Sequence, residues 1–289
     1  MPSEKPGFSG SEPQPSMPHN IRITLAYDGT NYAGWQIQPD QPTVQSTLER
    51  ALEELTGTRV NVLAAGRTDA GVHALGQVAN FITDFPIPPD RWRPALQAKL
   101  PSDIVVRDSE EVPLDFHATF AAKSKRYRYV IHNSRVDDPF LRRYTWRIGG
   151  EIDAVAMNDA ARCLVGRHDF RSFESHWPNT AQSVRTMTEV RVFRSAAWSL
   201  WSDGPAVAFS QPAISTASVS QFPFLCFEII GDGFLYNMVR AVVGTLVNVG
   251  RGTWTADEFR RVLESQDRSE AGETAPAQGL YLVSVDYGT

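Results

Sequence analysis

The sequence predicts an α+β protein in two comparable halves, divided near residue 120, each a sheet with helices on one side. Three observations carry that expectation. Some segments place apolar residues at every second position, others place them at every third or fourth, and the two kinds are mixed along both halves of the 289-residue chain. With 42% hydrophobic and 10% aromatic residues, the chain can build one large core or two medium ones.

Residues 1–20, rich in Pro, Ser, Gly and Glu, lack periodicity and are expected to form a disordered tail. Ile21, Ile23 and Leu25 then alternate with Arg22, Thr24 and Ala26, the pattern of a strand with one buried face, and a turn follows at Asp28-Gly29. Val44, Leu48, Leu52 and Leu55 stand at helical spacing, with Thr43 as N-cap and Gly57 just past the last turn. Val60, Val62 and Leu63 lead as a strand into the segment from Ala65 to Gly71, and residues 77–82 lead out as another, which puts Asp69 on a loop between strands.

The second half opens with a strand over 126–132 and a helix from about 154 to 164, ended by Gly166. Strands are predicted over 188–193 and 225–230. In the next helix Leu235, Met238, Val239, Val242, Val243, Leu246 and Val247 cover more than half the circumference, which demands burial. Thr255 and Glu258 form a capping box ahead of Phe259, Val262 and Leu263. A closing strand over 281–287 is expected to carry Val283 and Val285 on one face. Residues 196–222, a stretch of Ser, Ala, Pro and Gly holding Trp198 and Trp201, are longer than most connections in compact domains and are read as a surface insertion.

Composition narrows the function. No run of about 18 apolar residues occurs, and the first twenty residues carry Glu4, His19 and several prolines where a signal peptide needs an apolar core, so a soluble, cytoplasmic protein is expected. Cys163 and Cys226 are far apart and form no CxxC pair, which indicates neither a zinc site nor a disulfide scaffold. Gly231-Asp232-Gly233 lacks the third glycine of GxGxxG and no GxxxxGK[ST] is present, so the signals of a nucleotide-dependent enzyme are missing. A net charge of -5 and a pI near 5.7 count against a nucleic-acid binder taken as a whole. Between Lys123 and Arg147, however, eight basic residues face two acids, interleaved with Tyr127, Tyr129, Tyr144 and Trp146. Aromatic faces among cations suit unpaired bases.

The sequence Asp69-Ala70-Gly71 is by itself turn chemistry. Its neighbours point further: Gly66 and Gly71 let a substrate approach the backbone, and Arg67 supplies a planar cation that could hold a phosphate or fill the gap left by an extruded base. His73 and His168 are read as structural, since the sequence demonstrates no paired carboxylate for either.

The segment from Ala65 to Phe81 resembles the signature of the tRNA pseudouridine synthase A family. The resemblance extends, in the family's order, through Ala26–Gln36, Asp115–Ala118, Lys125–Tyr129, Gly166–Phe170, Gly231–Arg240 and Gln278–Leu282. It implies two RRM-like domains, 21–120 and 121–289, whose antiparallel sheets join into one extended sheet with helices on one side and the active cleft between the domains. It also implies a homodimer acting on tRNA, at uridines 38 to 40 of the anticodon stem-loop in bacterial members, with no cofactor and no metal. The uracil is detached from its ribose at N1, rotated and rejoined through C5. By resemblance Asp69 is the catalytic aspartate, Arg240 the cation that pairs with it and keeps it charged, Tyr127 the base-stacking tyrosine and Arg67 the arginine of base extrusion. Phe234 and Leu235 are expected to line the pocket, and Arg126 and Arg128, from the basic cluster, to meet the RNA. The family joins its strands more tightly than this chain does across 196–222. A non-catalytic RNA-binding or folding-assistant protein on the same scaffold is the alternative, because fold does not fix activity.

Overall fold

The computed structural model describes residues 17–175, 182–196 and 222–288. Most of the expected tail and of the expected insertion therefore lie outside the described residues. The first half runs β1 (His19–Tyr27), α1 (Val44–Thr56), β2 (Leu63–Ala64), β3 (His73–Thr83), α2 (Trp92–Gln97), β4 (Ile104–Val112) and α3 (Ala118–Ala121). The second runs β5 (Ser124–Asn133), β6 (Trp146–Ile148), α4 (Ala154–Ala161), β7 (Gly166–Asp169), β8 (Val184–Ser195), β9 (Phe224–Gly231), α5 (Met238–Gly250), α6 (Ala256–Ser265) and β10 (Leu280–Asp286).

The fold is α+β, built on a single large mixed sheet. Its main path is β4-β1-β3-β10-β5-β9-β8-β7, with β2 paired to β3 and β6 to β5. Neighbours are antiparallel except at two places, the β5–β6 pair and the seam where the halves meet. At that seam β10 runs parallel to β3, Tyr281 facing His73 and Leu282 facing Ala74.

One continuous core covers the helical face of the sheet and spans both halves: Ile21, Ile23 and Leu25 of β1, Leu48 and Leu52 of α1, Phe227 and Ile229 of β9, Val242 and Leu246 of α5, and Phe259 of α6. A smaller cluster of Leu75, Val130, Cys226, Tyr281 and Val283 lies apart from it. Burial of Cys226 pushes its thiol up to about 12, as expected of an inert small hydrophobe.

Several local expectations change in the structure. Val60 and Val62 are buried in the core but do not join the ladder, where only Leu63 and Ala64 pair with β3. A bulge between Leu282 and Ser284 resets the alternation of β10, so Val283 packs in the smaller cluster while Val285 packs against the main core, not on one face as predicted. The helix predicted to reach 164 ends at Ala161 and tightens into a 3-10 turn over Arg162–Leu164. The caps hold: the Thr43 side chain accepts from the Ser46 N–H, Gly57 is left-handed at φ 71°, and Thr255 and Glu258 cap α6 reciprocally.

Candidate active site

The Asp69 loop, between β2 and β3, is tied down on both sides. The Ala65 N–H donates to the Val78 carbonyl at 2.8 Å and Gln77 Nε2 to the Gly66 carbonyl at 2.7 Å. From the other side, the Trp35 N–H donates to the Thr68 carbonyl at 2.9 Å and the Gly71 N–H to the Tyr32 carbonyl at 3.2 Å. Thr68 is buried, its hydroxyl 2.8 Å from that of Tyr27. Gly34 fits against this loop only because it lacks a side chain: its φ is +98°, and a Cβ would sit 2.6 Å from the Thr68 carbonyl oxygen. Thr68 thus points inward and the Asp69 carboxylate outward, about a fifth exposed.

The N-terminus of α5 supplies the counter-charge. Arg240 NH1 lies 3.8 Å from Asp69 Oδ2. The same guanidinium is aimed by two hydrogen bonds of 2.7 Å, from Nε to the Ala275 carbonyl and from NH1 to Asn237 Oδ1. Asn237, left-handed at φ 61°, is itself held through Nδ2 to Ser175 Oγ at 2.9 Å. Burial pushes the Asp69 carboxyl above the ordinary carboxylate range, while Arg240 and the Asn237 N–H pull it down without cancelling the rise. Arg240 thus does pair with Asp69 as expected, but at 3.8 Å it offsets only part of the burial.

Tyr127 of β5 faces the same space, its ring edge-on to Phe234 with centroids 4.8 Å apart. Burial keeps its hydroxyl protonated, with the nearby Tyr27 and Asp69 acting in the same direction. That hydroxyl has no hydrogen-bond partner among the described residues. Arg67, Asp69, Tyr127, Phe234 and Leu235 all line one cleft of about 780 Å³, room enough for a nucleoside. Arg67 is exposed at its edge and free of ion pairs among the described residues.

The assignment of Arg126 and Arg128 to the RNA requires correction. Strand alternation turns both away from Tyr127, and Arg128, only 2% exposed, donates from Nε to Glu228 Oε1 at 2.6 Å. Arg126 NH1 stands 3.7 Å from the same carboxylate, which also accepts from Arg191 Nε at 2.9 Å. These arginines neutralise a buried glutamate rather than line the cleft. The cleft instead holds Lys125, a member of the basic cluster that charge alone does not distinguish from its neighbours. Period-two spacing from Tyr127 was the signal that could have found it.

His73 is buried; its Nδ1 accepts from the Gly29 N–H at 3.0 Å and lies 3.2 Å from Asp28 Oδ1, while its Nε2 contacts the Arg143 carbonyl at 3.0 Å. Tyr144 donates to Asp28 Oδ2 at 2.8 Å and Tyr281 to the Tyr144 carbonyl at 2.6 Å, so this polar network stitches the seam. Although burial works against it, hydrogen bonds from His73, Thr30 and Tyr144 hold Asp28 below the ordinary carboxylate range. His168 Nε2 contacts the Val165 carbonyl at 3.0 Å and its ring stands edge-on to that of Phe170. Among the described residues, no three His, Cys, Asp or Glu side chains are grouped to hold a metal, and no helix is long and apolar enough to cross a membrane.

Comparison with known proteins shows the family of the chain. The tRNA pseudouridine synthase family pattern matches residues 23–121 and 160–288, a span that includes Asp69, Arg240, Phe234 and Leu235. The chain is 47% identical over 268 residues to a tRNA pseudouridine synthase A of Acetivibrio thermocellus, covering 93% of this chain and 99% of the relative. It is 46% identical over 270 residues to the protein so named in Moorella thermoacetica, covering 92% and 99%. It is 44% identical over 268 residues to that of Anoxybacillus flavithermus, covering 92% and 98%. The chain belongs to the tRNA pseudouridine synthase family.

Proposed function

We propose that the chain isomerises uridine to pseudouridine in tRNA, in the cleft around Asp69. Separate elements bring Asp69 and Tyr127 into one cleft and set Arg240 3.8 Å from the Asp69 carboxylate, and that convergence carries the proposal. In the reaction the N1–C1′ bond breaks, the uracil turns while still held, a C5–C1′ bond forms, and C5 gives up its hydrogen as N1 takes a proton. Atoms and electrons balance within the substrate, so side chains suffice and no cofactor is called for.

Asp69 acts in its ionised form, whether it adds to the base or ribose or removes a ribose proton. The Arg240 charge favours that form in a cleft where burial opposes it. Tyr127 offers the detached uracil a ring face, with Phe234 and Leu235 closing the cleft around it. Arg67, exposed and without an ion pair among the described residues, occupies the stack that the extruded uridine leaves.

On the family resemblance, the substrate uridines are 38 to 40 of the anticodon stem-loop and the working unit is a cytoplasmic homodimer. The two halves, meeting near residue 120, are RRM-like domains. A non-catalytic RNA-binding role makes Asp69 dispensable, which gives the test. Tritium release is measured from tRNA labelled at uracil C5. The wild type releases tritium and folded Asp69→Asn does not; release retained by Asp69→Asn would remove the catalytic assignment, and none from the wild type would remove the function.

A further inference from the structure

Lys125 lines the same cleft, and the chemistry above leaves it unused. It stands two residues before Tyr127 on β5, so both side chains leave the sheet on one face, as their shared place in the cleft lining requires. Its stem lies along the Asp69 loop, where a Cβ on Gly66 would sit 3.4 Å from Lys125 Cε. Among the described residues no carboxylate comes within ion-pair distance of its ammonium. Asp69, the anion of the cleft, is paired instead with Arg240.

The charges around Lys125 are unbalanced. Arg185 is close enough to repel it, and Asp232 is the acid that acts against that repulsion. Arg185 is fixed by hydrogen bonds from NH1 to the Gln182 and Val184 carbonyls at 2.9 and 2.7 Å, and it packs where a Cβ on Gly233 would meet its Nε at 3.1 Å. Asp232 is engaged through Oδ1 by the Thr186 N–H at 3.0 Å. Lys125 in the cleft lining and Arg185 behind it are thus two cations against the single carboxylate of Asp232. Burial and Arg185 together push the Lys125 ammonium below its ordinary pKa, so the site stores an electrostatic cost that a bound anion relieves.

Resting on the tRNA uridine reaction above, we propose that Lys125 binds a backbone phosphate adjoining the target nucleotide. The cleft then holds the base at Tyr127, the ribose at Asp69 and the phosphodiester at Lys125, three contacts that fix one nucleotide without reading its neighbours. Lys125 is in this sense a positioning residue for the reaction.

Single neutral methylphosphonate linkages, placed in turn on the 5′ and 3′ sides of the target uridine in an RNA substrate, test the proposal. One of them raises KM of the wild type about ten- to hundredfold with kcat little changed, the pattern of a lost binding contact to a charged group. Lys125→Gln raises KM by a similar factor on the natural RNA and no longer distinguishes the neutral linkage, while Lys125→Arg still does. The slope of log affinity against log salt falls by about 0.7 to 1 in Lys125→Gln. The proposal is overturned if neither linkage affects the wild type, or if the penalty is the same in wild type and Lys125→Gln. Should Lys125→Gln fail to fold, the wild-type series alone decides. A wild type that makes no pseudouridine in any tRNA is a different result and overturns the function together with this contact.

Discussion

At the scale of single residues, the site rests on an unequal contest over one proton. Burial raises the Asp69 carboxyl, and Arg240 recovers only part of the loss. With the ionised form as the active one in the proposed function, activity is expected to fall as pH drops through the Asp69 pKa. Arg240→Gln removes the opposing charge, so the acid limb of kcat/KM against pH moves to higher pH, and the ionised fraction on its acid side drops about tenfold for each pH unit of movement. Arg240→Lys restores the limb in part, since an ammonium keeps the charge but cannot fork onto the Ala275 carbonyl and Asn237 together. A limb that stays in place in Arg240→Gln would break the coupling. The members of this cleft were legible in the sequence only through family resemblance, since turn chemistry alone explains an Asp-Ala-Gly. Lys125 and Arg128 teach the opposite lesson. Net charge made the cluster look like one surface, whereas the strand period, applied residue by residue, sends Lys125 into the cleft and Arg128 to Glu228.

At the scale of elements, the Asp69 loop is held by neighbours rather than by its own sequence. Gly34→Ala forces a side chain into a left-handed backbone and into the Thr68 carbonyl. It is expected to cost about 1 to 3 kcal/mol of stability. The displaced Asp69 lowers kcat by about 100-fold, read by thermal melts and steady-state rates on the same preparation. An alanine variant with unchanged kcat would show that the loop is set elsewhere. Where an element announces itself by local chemistry, the sequence was enough: α1 and α6 carry their caps, and α5 its apolar circumference, though α5 begins at Met238 and leaves Leu235 in the turn before it. Other elements lacked that signal. β4 is an edge strand whose buried face amounts to Ile104, Val106 and Ser109, too short a period to stand out. α2 is six residues long with Pro94 inside it. The bulge in β10 could not be read at all, because it answers to the strand beside it.

At the scale of the whole molecule, the halves share more than a boundary. The main core takes side chains from β1 and α1 as well as from β9, α5 and α6. The chain is therefore expected to unfold in one transition, with intrinsic fluorescence and far-UV circular dichroism changing at the same temperature and the calorimetric and van't Hoff enthalpies agreeing. Two separated melts would mean that the halves are independent units after all. The seam has a further consequence, in time rather than in space. β3 ends at Thr83, yet the strand that pairs beside it does not begin until Leu280, a residue that itself lines the cleft. The Ala275 carbonyl that aims Arg240 is made just before it. During synthesis the Asp69 loop therefore emerges long before the segment that completes its surroundings, so the cleft can form only when the chain is nearly whole.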